Sequence, residues 1–196
     1  MSESKIQWEK AVEFHGHICP GLAIGFRAAE LALKELGGRR SEDEELIAIV
    51  ENRSCGVDAV QSLTGCSFGK GNLFFNDFGK QVYTFARRKD DRAVRVAVKY
   101  GAFYDPDFSE LRVKAAKGGT DLVAKYREAL NKRIEKILAA GPEAFSLKAV
   151  NITLPAVASI YRTVRCDECG EGVMEPRARL KSGRVVCIPC CGIGES

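Results

Sequence analysis

Apolar positions repeat at helical spacing in two long stretches of the sequence. In residues 20–37 they recur every three or four positions, at Leu22, Phe26, Ala29, Leu33 and Leu36. This spacing predicts an amphipathic helix. Pro20 suits its first position, and Gly37-Gly38 supplies a left-handed stop. The same periodicity predicts a second long helix over residues 120–140.

A stripe of small residues runs along the first of these helices. It consists of Gly21, Gly25, Ala28 and Ala32. A glycine inside a helix, such as Gly25, costs about 1 kcal/mol relative to alanine. We therefore expect another element to pack closely against this stripe, either a neighbouring helix or the same helix of a second subunit.

Short β-rich segments bounded by turn residues predict strands between and after the helices. These segments cover residues 45–50, 72–77, 81–87, 93–100 and a last strand near 147–154. In the fourth segment Val94, Val96, Val98 and Tyr100 alternate with charged or small residues, which predicts one buried face.

The remaining predicted helices are interleaved with these strands. One short helix is predicted over residues 57–64, and a further helix follows Asp105-Pro106 and precedes the second long helix. Helices and strands that alternate without strict βαβ repetition indicate an α+β fold. Residues 1–160 are thus expected to form one domain, a mixed β-sheet flanked by helices.

The composition is that of a globular protein. The chain has 196 residues, of which 45% are hydrophobic and 29% charged, and its net charge is +4. These values exclude a disordered or fibrous protein, and the charge is too low for a dedicated nucleic-acid binder. No stretch approaches the roughly 20 apolar residues of a membrane span, and the polar N-terminus has no signal-peptide core. We therefore expect a cytoplasmic protein without membrane contacts.

Eight cysteines in a reducing compartment are expected to be metal ligands or reactive thiols rather than disulfides. Cys166, Cys169, Cys187 and Cys190 follow the pattern C-x2-C-x17-C-x2-C. This is the spacing of a four-thiolate zinc site. Cys191 is an alternative to Cys190 in a shifted register. A redox CxxC pair and an iron–sulfur site are the other interpretations of these cysteines.

The C-terminal segment, residues 161–196, is expected to form a separate zinc-finger domain. It is too short to bury a core unaided, so structural zinc should supply its folding energy. It contains six Lys or Arg and five Asp or Glu residues. A net charge of about +1 attracts phosphates only weakly. The finger is therefore expected to stabilise or dock the protein, and nucleic-acid binding with a steep salt dependence is the alternative.

Both histidines of the chain lie in the segment FHGHICPGLAIG. In extended backbone, alternate side chains share one side, so His15, His17 and Cys19 can converge. Cys19 precedes Pro20 at the start of the first long helix. The helix dipole and the free backbone N–H groups there are expected to lower the pKa of the Cys19 thiol.

A second cluster lies in the segment NRSCGVDAVQSLTGC. Cys55 comes just before the short helix, and Cys66 follows its end. Asp58 and Gln61 are three residues apart and share one face of that helix. The glycine-rich segment GCSFGKGN then carries Lys70 and is interpreted as an anion-tolerant loop near the site, or simply as a turn.

Together the two clusters predict a metal site for zinc or another transition metal. The expected ligands are His17, Cys19, Cys55 and, as a rival fourth ligand, Cys66. His15 and Asp58 are expected to support the ligands or to carry protons. The alternative is that the cysteines and histidines of these segments are ordinary packing residues.

A resemblance to a known family rests on three segments, FHGHICPGLAIG, CGVDAVQSLTGCSFGKGNL and CDECGE followed by CIPCC. Over nearly the whole chain they resemble the family of the E subunit of formylmethanofuran dehydrogenase. The resemblance implies an α+β core, often paired as a homodimer, and a treble-clef-like zinc finger in members that carry the tail. It implies a metal site on His17, Cys19 and Cys55, with Asp58, Gln61, Cys66 and Lys70 in the neighbouring motif.

The formyl oxidation performed by that enzyme needs a molybdenum or tungsten pterin centre. This chain is too small to house one and has no C-x2-C-x2-C-x3-C run. The leading hypothesis is therefore an accessory metal-binding protein of anaerobic, methanogenesis-related one-carbon metabolism that associates with molybdenum or tungsten enzyme subunits. The alternatives are a stand-alone metal-dependent enzyme, with His15 or Asp58 as proton carrier and Gln61 and Lys70 binding the ligand, and a thiol redox or metal-carrier protein.

Overall fold

A computed structural model describes residues 3–38 and 40–192 of the chain. It divides into two compact units, Met1–Val157 and Ala158–Ser196. The elements of the first unit are α1 (Glu3–His15), α2 (Pro20–Leu36), β1 (Leu46–Val50), α3 (Gly56–Thr64), β2 (Leu73–Phe75), β3 (Val82–Arg87), β4 (Arg92–Val98), α4 (Pro106–Ala116), α5 (Thr120–Ala139) and β5 (Phe145–Val150). No helix in this described part of the chain combines the length and hydropathy needed to cross a membrane.

The first unit is built on a five-stranded sheet with the order β2-β1-β3-β4-β5. β1 and β2 pair in parallel, and the other neighbours are antiparallel. The register places Ala48 of β1 and Val94 of β4 on either side of Phe85 in β3. The predicted α+β fold with a mixed sheet is confirmed.

The main core lies between α2 and one face of the sheet. Val94 and Val96 are buried there, as their alternation predicted, and Val98 is partly buried. Tyr100 is exposed, contrary to the prediction, because β4 ends at Val98. α5 packs against α2 through Ile134 and Ile137. The other face of the sheet carries a smaller apolar cluster around Ile47. The two faces of the sheet are therefore covered by apolar clusters of unequal size. α1, α2 and α3 pack together on the side of the main core.

The periodicity of the sequence did not predict α1. Ala11 is its one fully buried residue among those described, and Ile6 and Phe14 are exposed, so the helix presents no continuous apolar stripe. It is held instead by a few contacts, including an edge-on contact between Trp8 and Phe26 with ring centroids 5.3 Å apart. α1 matters for function because its last residue is His15.

The second unit contains two short hairpins. Its elements are β6 (Thr163–Arg165), β7 (Gly172–Met174), a 3-10 turn (Glu175–Arg177), β8 (Arg179–Lys181), β9 (Arg184–Val186) and α6 (Ile188–Cys191). β6 pairs with β7 and β8 with β9, both antiparallel. Among its described residues only Cys166 and Val186 are buried. A unit with so little core needs another source of folding energy, as a zinc ribbon does.

Candidate metal sites

Close packing of α2 on α3 brings two cysteines together in the first unit. A Cβ added to Gly25 would overlap the backbone of Gly56, so the two helices touch through their glycines. A Cβ added to Gly21 would lie 3.8 Å from the Sγ of Cys55 and 3.9 Å from the Sγ of Cys19. The stripe of small residues therefore packs against a neighbouring helix, one of the two alternatives expected from the sequence.

His15 is fixed by a carboxylate of α3. Its Nδ1 lies 2.7 Å from Oδ2 of Asp58. Because a carboxylate can only accept, Nδ1 carries the hydrogen and donates it, and in the neutral ring the lone pair is then on Nε2. Gln61 donates from Nε2 to the other oxygen of Asp58, at 3.4 Å. A carboxylate that orients a histidine in this way is the usual support of a metal ligand.

The second ring nitrogen of His15 faces the thiol of Cys19. His15 Nε2 lies 3.8 Å from Cys19 Sγ, and the ring of His17 lies against that of His15, tilted by 37° with centroids 4.4 Å apart. Ligand atoms of His15, His17 and Cys19 all lie within 4.8 Å of one another. A nitrogen and a sulfur on one tetrahedral zinc ion are about 3.6 Å apart. The spacing of this cluster therefore fits a single metal ion.

The cluster forms through a turn rather than through extended backbone. His15 ends α1, and Gly16 follows with φ +88°, a conformation that favours glycine. The amide N–H of Gly16 donates to the carbonyl of Val12. The sequence-based expectation of an extended segment was wrong, although the predicted convergence of the three side chains does occur.

Cys19 caps α2, as its position before Pro20 predicted. Its Sγ accepts a hydrogen bond from the backbone N–H of Leu22 at 3.3 Å. The expected lowering of the pKa of the thiol is wrong, because burial raises it more than the bond from Leu22 lowers it, and the neighbouring thiol of Cys55 raises it further. Cys55 precedes α3 but forms no side-chain cap.

Cys55, which the sequence placed among the ligands, is not part of the described group, whereas His15, which was expected to support the ligands, is part of it. Two further sequence-predicted site residues also lie apart from the cluster. Cys66 is fully buried in the core, where its thiol donates to the carbonyl of Leu46 at 3.6 Å and burial raises its pKa. The nine residues of α3, about 14 Å of helix, lie between it and Cys55. The Lys70 ammonium donates to the carbonyls of Ser41 and Glu42, both at 3.2 Å. The structure thus brings neither Cys66 nor Lys70 to the histidines.

A cavity of about 410 Å³ opens beside the cluster. His15, Cys55, Asp58 and Gln61 contribute to its wall, and so do two phenylalanines and an arginine that the sequence analysis did not single out. Those three residues come from separate loops and strands, so no periodic pattern connects them. The only sequence signal was an aromatic residue inside a glycine-rich loop.

The second unit holds four thiols in one cluster. The Sγ atoms of Cys166, Cys169, Cys187 and Cys190 lie within 4.8 Å of one another, and those of Cys169 and Cys187 are 3.9 Å apart. Two sulfurs on one tetrahedral zinc ion are about 3.8 Å apart. In the part of the chain that the structure describes, Cys191 does not belong to this cluster of thiols.

The pKa values of the tail cysteines indicate that a cation is needed to ionise all four thiols. Backbone N–H groups of Cys169 and Cys187 lower the pKa of Cys166 to about 6. Hydrogen bonding with the thiol of Cys187, followed by burial, raises the pKa of Cys190 to about 12. Four neighbouring thiols therefore cannot all ionise by themselves, whereas a zinc ion stabilises all four thiolates.

Two protein families match the chain. The family described as "FmdE, Molybdenum formylmethanofuran dehydrogenase operon" matches residues 14–146. The prokaryotic dksA/traR C4-type zinc finger matches residues 159–193. The first match covers the histidine and cysteine cluster of the first unit, and the second covers all four cysteines of the tail. Together with the donor groups, they identify a metal-binding protein with a C-terminal zinc finger.

Two individual proteins are similar over most of the chain. A protein of Archaeoglobus fulgidus described as a probable S-adenosyl-L-methionine-binding protein is 35% identical over 193 residues. The alignment covers 93% of this chain and 52% of that protein, so the chain spans about half the length of this relative. A tungsten formylmethanofuran dehydrogenase FmdE-like protein from Syntrophus aciditrophicus, known from its crystal structure, is 26% identical, with a TM-score of 0.64. That match covers 96% of this chain and 92% of the other.

Proposed function

The chain belongs to the FmdE family, and on that premise we propose that its first unit binds one transition-metal ion, zinc by preference, through His15, His17 and Cys19. Cys55, which adjoins Cys19, is the fourth donor in this proposal. The observation that carries it is the hydrogen bond between His15 and Asp58, because it turns the lone pair of His15 Nε2 toward Cys19.

The donor set supports zinc. Imidazole nitrogens and thiolates are the ligands that zinc prefers, and carboxylate-supported histidines accompany them. When bound, such an ion acts as a Lewis acid toward a ligand that reaches it. The side chains of this protein orient the histidine ligand and leave the metal site accessible to a ligand. Asp58 holds the ring of His15, and Cys55 places the site at the wall of the cavity.

We further propose an accessory role in anaerobic one-carbon metabolism. The family description and the name of the Syntrophus protein both refer to formylmethanofuran dehydrogenase, and this supports an association with molybdenum or tungsten enzyme subunits. In this proposal the tail zinc finger docks the protein, which acts in the cytoplasm as a homodimer. The role is tested by purifying the native enzyme complex; absence of this chain from every preparation would contradict it.

A second candidate function is a stand-alone metal-dependent enzyme. The observation that favours it is the cavity, since an accessory or carrier site needs no space for a substrate beside its donors. In this alternative Asp58 and His15 would move a proton to or from the ligand. A panel of hydrolase substrates, assayed with metal-loaded protein, distinguishes the two functions.

The metal proposal is tested by counting metal ions per chain. We expect about two ions in anaerobically purified wild type, and about one in His15→Ala and in His17→Ala, because removing one donor weakens a site with few ligands. Cys66→Ala is the matched control and should retain about two. One ion in the wild type, or two in both histidine variants, would contradict the proposal and would favour thiol chemistry at Cys19 and Cys55.

A further inference from the structure

The cavity beside the metal cluster has an aromatic wall that packing does not explain. Phe68 lines it and is 69% exposed, and Phe75 lines it from the last position of β2. Val50 and Val57 complete the apolar part of the wall. An exposed phenylalanine at the edge of a largely apolar cavity is stabilised when a ligand covers it.

The loop that carries Phe68 is anchored at both ends. The amide N–H of Ser67 donates to Oδ1 of Asn72 at 2.9 Å, and that of Gly71 donates to the carbonyl of Phe68 at 3.0 Å. The Lys70 ammonium is bound to backbone carbonyls of another loop. These bonds hold the backbone on both sides of Phe68, so its ring is presented to the cavity on a fixed support.

A positively charged side chain, Arg53, lines the same cavity. The guanidinium of Arg53 lies over the ring of Phe75, 5.0 Å from its centroid, and Arg53 lines the cavity. Its partner is the carboxylate of Asp77 at 2.8 Å, and the two side chains are 75% and 63% exposed. Ion pairs this exposed contribute little, so the anionic group of a ligand can replace Asp77 at small cost.

We propose that this cavity binds a small planar aromatic ligand that carries an anionic group. The ring lies against Phe68 and Phe75, and the anion pairs with Arg53, the aromatic-stacked cation. Asp58 also lines the cavity and contacts His15, so its carboxylate repels the anion from the cluster and favours its pairing with Arg53. The inference rests on the proposed function and deepens it by naming a ligand class, since His15 and Cys55 line the same cavity.

Three probes of equal size test the two halves of the proposal. Benzoate has the ring and the charge, benzamide has the ring alone, and cyclohexanecarboxylate has the charge alone. By calorimetry or ligand-observed NMR with full-length, metal-loaded protein, we expect benzoate to bind with a Kd of roughly 1 mM, ordinary for so small a ligand. Each of the other probes should bind at least about fivefold more weakly, because it lacks one contact.

Variants assign the binding to the cavity. We expect Phe68→Leu and Arg53→Gln each to weaken benzoate binding about five- to tenfold, and Asp77→Asn to strengthen it about two- to threefold by freeing the guanidinium. Phe78→Leu is the matched control, an exposed phenylalanine outside the cavity wall. Its benzoate affinity should equal that of the wild type.

Two results would overturn the inference: no benzoate binding up to about 10 mM, or equal binding by the wild type, Phe68→Leu and Arg53→Gln. The metal content of every sample is measured in parallel. Normal metal content without benzoate binding refutes the ligand class and leaves the metal proposal standing. One metal ion per chain with cavity-specific benzoate binding refutes the metal proposal and supports the ligand class.

Discussion

Replacing Asp58 by asparagine tests whether the carboxylate supports a metal ligand. In the wild type, Asp58 Oδ2 accepts the Nδ1 hydrogen of His15 at 2.7 Å, and His15 Nε2 faces Cys19. An asparagine keeps the shape and can still accept this hydrogen, but it carries no charge. Its amide can also turn and donate, which would put the hydrogen on Nε2, the nitrogen that has to bind the metal.

The size of the effect follows from the burial of the two groups. Loss of a carboxylate that supports a metal-binding histidine weakens metal affinity by about 10- to 100-fold. Here the side chain of His15 is 10% exposed and that of Asp58 is 38% exposed, so water screens part of the charge. We therefore expect the lower half of that range, about 10- to 30-fold, or about 1.4 to 2 kcal/mol.

The assay is a competition titration of zinc between the protein and a chromophoric chelator. With the tail site filled first, the second equivalent reports the affinity of the core site. Asp77→Asn is the matched control, since it removes an exposed carboxylate outside the cluster. It should leave the affinity for this zinc unchanged. Equal affinity of the second equivalent in Asp58→Asn and in the wild type would refute the supporting role of Asp58.

Two further predictions concern stability, each measured by urea unfolding. Gly25→Ala should lower the free energy of unfolding by about 3 kcal/mol, because the new methyl group overlaps the backbone of Gly56; Gly69→Ala, whose Cβ meets nothing within 4 Å, should change it by less than about 1 kcal/mol. A hydrogen bond from Ser41 is the main cause that lowers the pKa of Glu45 to about 2. Its carboxylate thus stabilises the fold above pH 4.5, and the advantage of wild type over Glu45→Gln should vanish as the pH falls from about 4.5 to about 2. Similar losses in both glycine variants, or a pH-independent difference for Glu45→Gln, would contradict these explanations.

Much of the fold could be predicted because its elements carry periodic patterns. The stripe of α2 reports a buried face that the structure confirms. The alternation in β4 is confirmed at Val94 and Val96, but Tyr100 lies beyond the strand and is exposed. α1 could not be predicted in this way, because a helix that buries so little has no stripe to detect. Its absence from the prediction is the reason why the segment from His15 to Cys19 was expected to be extended.

The candidate site could be predicted in part. Residue types and spacing identified the donors at the starts of α2 and α3, because helix starts are recognisable from the sequence. Closeness in sequence suggested that Cys66 and Lys70 join them, but α3 carries the chain about 14 Å away before Cys66. The wall formed by Arg53 and Phe68 depends on how separate loops meet, which no local pattern encodes.

The central claim is tested most directly by anomalous diffraction at the zinc absorption edge, on crystals of the full chain grown anaerobically. We expect two peaks per chain. One lies among the four tail cysteines, and the other lies about 2.0 to 2.3 Å from His15 Nε2 and Cys19 Sγ. A tail peak alone, or a core peak centred away from His15 and Cys19, would contradict it.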